Sequence, residues 1–331
     1  MVSLLKTHLV DSAEPAPGKA PAINIADWAG RVSLDIIGAA GFGLDFSSLS
    51  EPQSPVFKAY KGAFGISDGS RLHFLLATLF PMKLVNVLPI SAIQQITSNI
   101  AYVKAYMKEV LDKRSQDAGK AVHIPGGKSE IDVISVAMKY SGFSNKDMLN
   151  QATTFLGAGH ETSATSVTWG TYVLSQPRYA HIQTRLRDEI RASIPGPFSG
   201  TEVDAQMLDK LPYLDAVCKE IMRLYSPAYS VRRYAICDTT ILGVRVKKGT
   251  YVQAPTWAIN KSKDLWGDSG RDFDPERWLT GKSKASGGAD NIAYLTFSSG
   301  PRSCIGKSKS MPDYHRSPHL LMRYRLCRSR E

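Results

Sequence analysis

The chain has 331 residues, of which 43% are hydrophobic and 21% charged, so it is long enough to bury the core of a large globular domain. Its formal net charge is +11, but the segment 307–331 alone supplies +5, and the remainder forms no basic stripe with interleaved aromatic residues. This distribution argues against nucleic acid as a partner. Four cysteines without a CxxC pair argue against a disulfide framework or a zinc knuckle and favour a reducing compartment.

Hydrophobic periodicity predicts a mainly helical chain. The first helix is expected at 27–40, where apolar residues recur at four-residue steps until glycines end the pattern. Ser144, with Asp147 three residues further on, is a suitable N-terminus for the longest helix. The later helices are expected at 91–115, 131–140, 146–174, 177–192 and 211–225.

A short region near the middle of the C-terminal half has a different character. Residues 231–252 are rich in Thr, Val, Ile and Tyr around Gly243 and Gly249, which predicts hairpin structure and a small sheet. The expected fold class is therefore mainly α with a small β portion. The most apolar stretch, 72–80, is closed by Pro81 and falls well short of the roughly twenty residues that span a bilayer.

The strongest chemical signal is the segment 297–306, which reads FSSGPRSCIG and fits the pattern FxxGxRxCxG. A match of this kind is expected by chance in about one chain in ten thousand. The pattern suits a cysteine thiolate that ligates haem iron, with Cys304 as the ligand. Gly300 and Gly306 would let the backbone turn around the sulfur, and Arg302 can pair with a haem propionate. The alternative for Cys304 is a buried structural thiol.

This segment resembles the cysteine loop of the cytochrome P-450 family of haem-thiolate monooxygenases. The resemblance implies that Phe297 and Arg302, together with the two glycines, border the cofactor. The implied cofactor is haem b, iron protoporphyrin IX, and its implied metal ligand is Cys304.

A second stretch, AGHET at 158–162, lies within the longest predicted helix and resembles the family's AGxET element over the distal face of the haem. The resemblance implies catalytic positions at Ala158, Gly159, Glu161 and Thr162. It further implies a helical distortion beside Gly159 that opens a groove for dioxygen, and proton delivery by Glu161 and Thr162. The alternative is an ordinary polar stretch of helix. A zinc site of the HExxH type is excluded because the second histidine is missing.

Glu220 and Arg223 form an ExxR pair, and their i,i+3 spacing places both charges on one helix face. About one such tetrapeptide is expected by chance in this chain, so an exposed surface pair is the default interpretation. Residues 274–278, however, read DPERW and resemble the family's PERF/PERW element. This resemblance implies that Arg277 completes a buried structural network with Glu220 and Arg223.

The four elements occur in the order and at the intervals typical of the family. Between the ExxR pair and the DPERW element, the resemblance implies another propionate-binding arginine in the segment 226–233. Arg233 is favoured, and Arg232 is the alternative by one position.

The resemblance covers roughly residues 24–308, and residues 1–308 are therefore interpreted as a partial P-450 catalytic domain of fungal type with an incomplete P-450 fold. The N-terminal third of a family member, including its membrane anchor, has no counterpart in the sequence. Residues 309–331 contain Pro312 and Pro318 and lack a sustained apolar period. They are interpreted as a divergent basic tail in place of the family's next helix.

The resemblance implies a monooxygenase that inserts one atom of dioxygen into an apolar organic substrate, using electrons from an NADPH-dependent reductase. Full-length relatives are expected at the cytosolic face of the endoplasmic reticulum membrane. This chain shows no anchor, so its expected location is cytoplasmic or unassigned. The alternative function is that of an inactive fragment that binds no haem and acts at most as an interaction module.

Overall fold

The structure, a computed structural model, describes residues 23–51, 53–65, 68–117, 133–140, 142–194, 205–279 and 293–307. The basic tail expected at 309–331, Cys327 among it, lies outside the described residues, as do the first two residues of the helix expected at 131–140.

Helices make up most of the described residues. In chain order they are α1 (Ile25–Phe42), α2 (Pro55–Phe64), α3 (Asp68–Leu79), α4 (Met82–Val85), α5 (Ser91–Asp117), α6 (Val133–Tyr140), α7 (Asn145–Ser175), α8 (Ala180–Ser193), α9 (Ala205–Asp209), α10 (Pro212–Leu224), α11 (Thr256–Ile259), α12 (Lys263–Trp266) and α13 (Glu276–Leu279). Single 3-10 turns lie at Pro177–Tyr179, Asp268–Arg271 and Gly300–Arg302. None of the helices described has both the length and the apolar character needed to cross a membrane.

The β portion consists of two antiparallel pairs, one nested within the other along the chain. The outer pair joins β1 (Val231–Tyr234) to β4 (Tyr251–Ala254), and the inner pair joins β2 (Thr239–Ile241) to β3 (Val244–Val246). Leu242 and Gly243 connect the inner strands with φ angles of +48° and +80°. Two successive residues with positive φ are typical of the tight hairpin turn that matches strand twist. The expected class, mainly α with a small β portion, is confirmed.

The helix ends follow ordinary capping chemistry. The amide of Asp27 donates to the side chain of Asn24 at the start of α1, and Gly43 ends that helix with a φ of +56°. At the start of α7, the amide of Asp147 donates to the hydroxyl of Ser144, which in turn donates to the carboxylate of Asp147. The predicted N-terminus of the longest helix therefore has a reciprocal side-chain cap.

The chain divides into two compact units, residues 3–161 and residues 162–331, and the division falls within α7. The described core of the first unit is formed by buried side chains of α1, α2, α5, α6 and the first part of α7, with Phe42, Tyr60 and Met107 among the most buried. The described core of the second unit is formed by the end of α7 with α8 and α10. It includes Leu174, Leu186 and Ile221.

Candidate active site

The cysteine loop is a tight bend whose backbone groups pair within the loop. The amide of Cys304 donates to the carbonyl of Phe297 across 2.8 Å, and the amide of Ser303 donates to the carbonyl of Gly300 across 3.0 Å. Gly300 has a φ of +78°, in the left-handed region that glycine adopts without strain. The bend presents Cys304 as an exposed, free thiol.

Aromatic packing joins this loop to the core of residues 162–331. Phe297 is partly buried against that core, and its ring packs edge-on to Tyr294 with 6.1 Å between the ring centroids. Tyr294 packs in the same way on Trp278, at 5.2 Å. At Gly306 a Cβ would lie 3.6 Å from the sulfur of Cys304, an ordinary contact. The described loop therefore needs glycine at position 300 for its backbone angle, but gives no steric reason for glycine at position 306.

The arginines expected to bind propionates are exposed. Arg302 ends the 3-10 turn of the cysteine loop. Arg232 and Arg233 are neighbours on β1, so their side chains leave opposite faces of the strand. Arg232 donates to the hydroxyl of Tyr229 across 2.9 Å, whereas Arg233 donates to a main-chain carbonyl, that of Arg232. The choice of Arg233 over Arg232 stays a prediction.

The structure brings Glu220, Arg223 and Arg277 together in a buried network. Arg223 donates from Nε and Nη2 to the two carboxylate oxygens of Glu220, each across 2.8 Å. Arg277 donates from Nε to the same carboxylate across 3.0 Å. Relative exposure is 0% for Glu220 and Arg223 and 4% for Arg277. The buried carboxylate is thus paired with two guanidinium groups, as a buried charge requires.

Two further donors to Glu220 have no charge and were not foreseen from the sequence. The indole nitrogen of Trp278 donates across 2.9 Å, and the backbone amide of Asp274 donates across 3.0 Å. Arg223 uses its remaining donors on the main-chain carbonyls of Asn260, Gly270 and Asp272. Its guanidinium also lies 4.8 Å from the centre of the Trp266 ring. The network therefore fixes the segment 256–279, in which short helices alternate with loops, onto α10.

The AGHET stretch lies on α7, which remains helical from Asn145 to Ser175. Ala158, Glu161 and Thr162 are exposed, and Gly159 is half-buried. A Cβ at Gly159 would lie 2.6 Å from Cδ1 and 2.9 Å from Cγ1 of Ile37 on α1. The distortion expected beside Gly159 stays a prediction, whereas the close packing of α1 on α7 gives a steric reason for glycine at this position.

His160 anchors this stretch from its buried side. Its Nε2 lies 2.9 Å from the carbonyl oxygen of Gly30, an acceptor, so Nε2 carries the proton. The hydroxyl of Ser33 donates to the carbonyl of His160 across 2.8 Å, and the Tyr60 ring packs edge-on at 4.4 Å between centroids. Desolvation lowers the pKa of His160 to about 4, partly offset by the bond to Gly30. The imidazole is therefore neutral near pH 7.

Glu161 is the titratable group on the exposed side of the same stretch. Although the side chain counts as exposed, partial desolvation raises the pKa of its carboxyl above the usual value. A raised pKa increases the fraction that carries a proton near neutral pH. This is the direction that a proton-delivering carboxyl needs.

The donor set of the loop fits a single thiolate ligand to haem. Of the described cysteines, Cys218 is fully buried and desolvation raises the pKa of its thiol well above the usual value, whereas Cys237 and Cys304 are exposed. Cys304 alone of these lies in a glycine-containing bend beside an exposed arginine. Within the described residues, no cluster of three or more His, Cys, Asp or Glu side chains could hold a metal ion by itself. A ligand supplied by one thiolate, with the porphyrin providing the others, agrees with this arrangement.

Comparisons with known proteins give a consistent family. A family model described as Cytochrome P450 matches residues 4–311. The chain is 37% identical over 291 residues to Cytochrome P450 monooxygenase sphH of Aspergillus fumigatus, which covers 86% of this chain and 52% of that relative. It is 35% identical over 327 residues to Cytochrome P450 monooxygenase FUM15 of Gibberella moniliformis, covering 86% and 54%. The structure is also similar to the crystal structure of the cytochrome P450DA heme domain, with a TM-score of 0.73 and 22% sequence identity. The match covers 97% of this chain and 65% of that one.

The chain belongs to the cytochrome P450 family, since the family match extends over most of its length. The resemblance predicted from the cysteine loop and its three companion elements is confirmed, and so is the P-450 fold. The chain spans about half the length of the curated relatives it matches.

Proposed function

We propose that this chain is the haem-binding part of a monooxygenase that inserts one oxygen atom of dioxygen into an apolar organic substrate. Electrons would come from an NADPH-dependent reductase, and the other oxygen atom would leave as water. The observation that carries the proposal is the exposed thiol of Cys304 in a bend closed by the 2.8 Å hydrogen bond from its own amide to Phe297. Related proteins named as monooxygenases, such as sphH and FUM15, support it.

In this proposal Cys304 is the iron ligand and the remaining loop residues border the porphyrin. When bound, haem b with a thiolate ligand supplies the redox chemistry that activates dioxygen. Phe297 supports the loop through its packing on Tyr294 and the core. Arg302 and Arg233 are assigned to the propionates, because an arginine fork matches a carboxylate in charge and geometry.

Glu161 and Thr162 are assigned to proton delivery. Partial desolvation raises the pKa of Glu161, which is the direction that favours its protonated form, and the hydroxyl of Thr162 can pass a proton because it is both donor and acceptor. Gly159 keeps this part of α7 packed closely on Ile37, and His160 fixes the same turn through Gly30. These contacts fix the backbone of the turn that carries Glu161.

The proposed location is the cytosolic face of the endoplasmic reticulum membrane, where a reductase could reach the cysteine loop. This assignment follows the expected location of full-length relatives.

The test is the carbon monoxide difference spectrum of the reduced chain after reconstitution with haem. Wild type should show the red-shifted Soret band of thiolate ligation, and Cys304→Ala should lose it. Cys237→Ala is the matched control because Cys237 is also an exposed free cysteine. A thiolate band that survives in Cys304→Ala, or a wild type that binds no haem, would overturn the proposal, and the second result would favour the inactive fragment.

A further inference from the structure

We infer that Asn260 is a positioning residue for the cysteine loop and acts through Thr296; the inference rests on the proposed function of Cys304 as iron ligand. Asn260 lies directly after α11 and has 0% relative exposure. It is polar and uncharged, and it belongs to none of the motifs that identify the family. Its contacts nevertheless join the Glu220 network to the segment that leads into the loop.

Both the nitrogen and the oxygen of the Asn260 side-chain amide form hydrogen bonds. Nδ2 donates to the hydroxyl oxygen of Thr296 across 2.9 Å and to the carbonyl of Arg223 across 3.2 Å. Oδ1 accepts from the backbone amide of Leu295 across 2.9 Å. The hydroxyl of Thr296 completes the set by donating to the carbonyl of Met222 across 3.0 Å. The last turn of α10 and the segment at 295–296 are thereby held at one spacing.

The same contacts extend to the sulfur ligand along the backbone. Leu295, held by Asn260, accepts a hydrogen bond from the amide of Ser298, across 2.9 Å. Phe297, the next residue after Thr296, accepts the hydrogen bond from the amide of Cys304. Two residues fixed by Asn260 thus stand immediately before the carbonyl that closes the cysteine bend.

The main chain of Asn260 is fixed from the opposite side. Its carbonyl accepts from Nη1 of Arg223 across 2.6 Å, and its amide donates to the carbonyl of Thr256 across 2.9 Å. Because the side chain has no solvent around it, loss of its partners would leave buried polar groups unpaired. Residues 295 and 296 are therefore held by the side-chain amide of Asn260, and Asn260 is itself held by Arg223 of the charged network.

The consequence concerns ligation as well as stability. The hydrogen bond from the Cys304 amide to Phe297 sets the direction in which the thiol leaves the backbone. If Asn260 holds Phe297 in place, its removal should loosen this bond while α10 stays folded. An ordinary core residue would loosen both together.

The experiment uses the full chain and four variants: Asn260→Ala, Thr296→Val, Thr296→Ser and, as an exposed control, Thr240→Val. Thr296→Val removes the hydroxyl with little change of shape, and Thr296→Ser keeps it. Hydrogen–deuterium exchange resolved to single amides compares the Cys304 amide with those of α10. The fraction of reconstituted haem that shows the thiolate Soret band is the second measurement.

We expect the Cys304 amide to exchange at least tenfold faster in Asn260→Ala and Thr296→Val, with α10 unchanged and a reduced thiolate fraction. Thr296→Ser and Thr240→Val should behave as wild type. Unchanged exchange at Cys304, or equal acceleration throughout α10, would overturn the inference. If Asn260→Ala does not fold, the Thr296 pair decides. If wild type shows no thiolate band, the proposed function fails, whereas the exchange measurement on the haem-free chain still tests the role of Asn260.

Discussion

Arg223 and Glu220 form a two-pronged ion pair in which Nε and Nη2 each lie 2.8 Å from a different carboxylate oxygen. Both side chains are fully buried, and Arg277 shares the same carboxylate. Such a pair contributes little relative to a well-packed apolar core, but breaking it by removal of one partner leaves an uncompensated buried charge. The contribution of the pair to stability is therefore tested by replacing one partner with alanine.

Arg223→Ala should lower the free energy of unfolding by about 3 kcal/mol, because Glu220 loses its main partner and three main-chain carbonyls lose their donor. Denaturant unfolding of the full chain measures this. Arg245→Ala is the control, since Arg245 forms an exposed pair with Asp238, and it should cost less than about 1 kcal/mol. Equal losses of unfolding free energy in the two variants would show that the ExxR pair contributes no more than an ordinary surface pair.

Only part of this network could be predicted from sequence patterns. The i,i+3 spacing predicts that Glu220 and Arg223 share a face, because helix geometry is regular. The donors Trp278 and the Asp274 amide, and the carbonyls that accept from Arg223, lie between 256 and 279, where short helices alternate with loops. Their positions depend on tertiary packing that no periodicity encodes, and for the same reason Asn260 has no sequence signal.

The helices show the same limit. Helix α1 was predictable because its apolar stripe is buried on one side. Helices α2 and α3 were not predicted. In α3 the apolar side chains Phe74, Leu75 and Leu79 are exposed, so the segment has no contrast between a polar and an apolar face.

Gly159→Ala should be less stable than Gly157→Ala by about 1 to 3 kcal/mol, although both lie on α7. A Cβ at position 159 overlaps two atoms of Ile37, whereas at position 157 its nearest neighbour is the Tyr60 hydroxyl at 3.9 Å. Gly157→Ala should instead gain up to about 1 kcal/mol from helix propensity. Thermal unfolding of both variants measures the difference. Ile37→Ala should relieve the penalty at 159, and a penalty unaffected by it would mean that the clash with Ile37 is not the cause.

The chain should lose stability as the pH falls from about 6.5 to about 4, in part through His160. In the folded state its pKa is lowered to about 4 from 6.5, so the unfolded chain binds the extra proton more readily in this window. Its contribution is complete above the unfolded pKa and is lost as pH falls through the folded one. Charging the ring would also bury a second N–H at Nδ1, which has no hydrogen-bond partner among the described residues. The pKa difference corresponds to about 3 kcal/mol.

Denaturant unfolding of wild type and His160→Gln between pH 7 and pH 4 measures this contribution. Glutamine cannot titrate, so the variant should lose less stability over the same interval, whatever its stability at pH 7. His181→Gln, at an exposed position, is the matched control and should keep the wild-type dependence. The same pH dependence in all three proteins would show that His160 is not the responsible group.

Gly300→Ala and Gly243→Ala separate the backbone requirement of the cysteine loop from general stability. The two glycines have φ angles of +78° and +80°, and at neither would a Cβ meet an atom within 4 Å. Both substitutions should therefore cost about 1 to 2 kcal/mol, the usual penalty of the left-handed region for a residue with a Cβ. Only position 300 lies in the bend that presents Cys304, so only Gly300→Ala should reduce the thiolate band of the haem-reconstituted chain. Gly300→Asn should recover part of that band, because asparagine tolerates positive φ better than alanine.

Unfolding curves and carbon monoxide difference spectra, measured on the same samples, provide the two readouts. An equal loss of the band in Gly243→Ala would mean that haem retention follows overall stability and not the geometry of the loop.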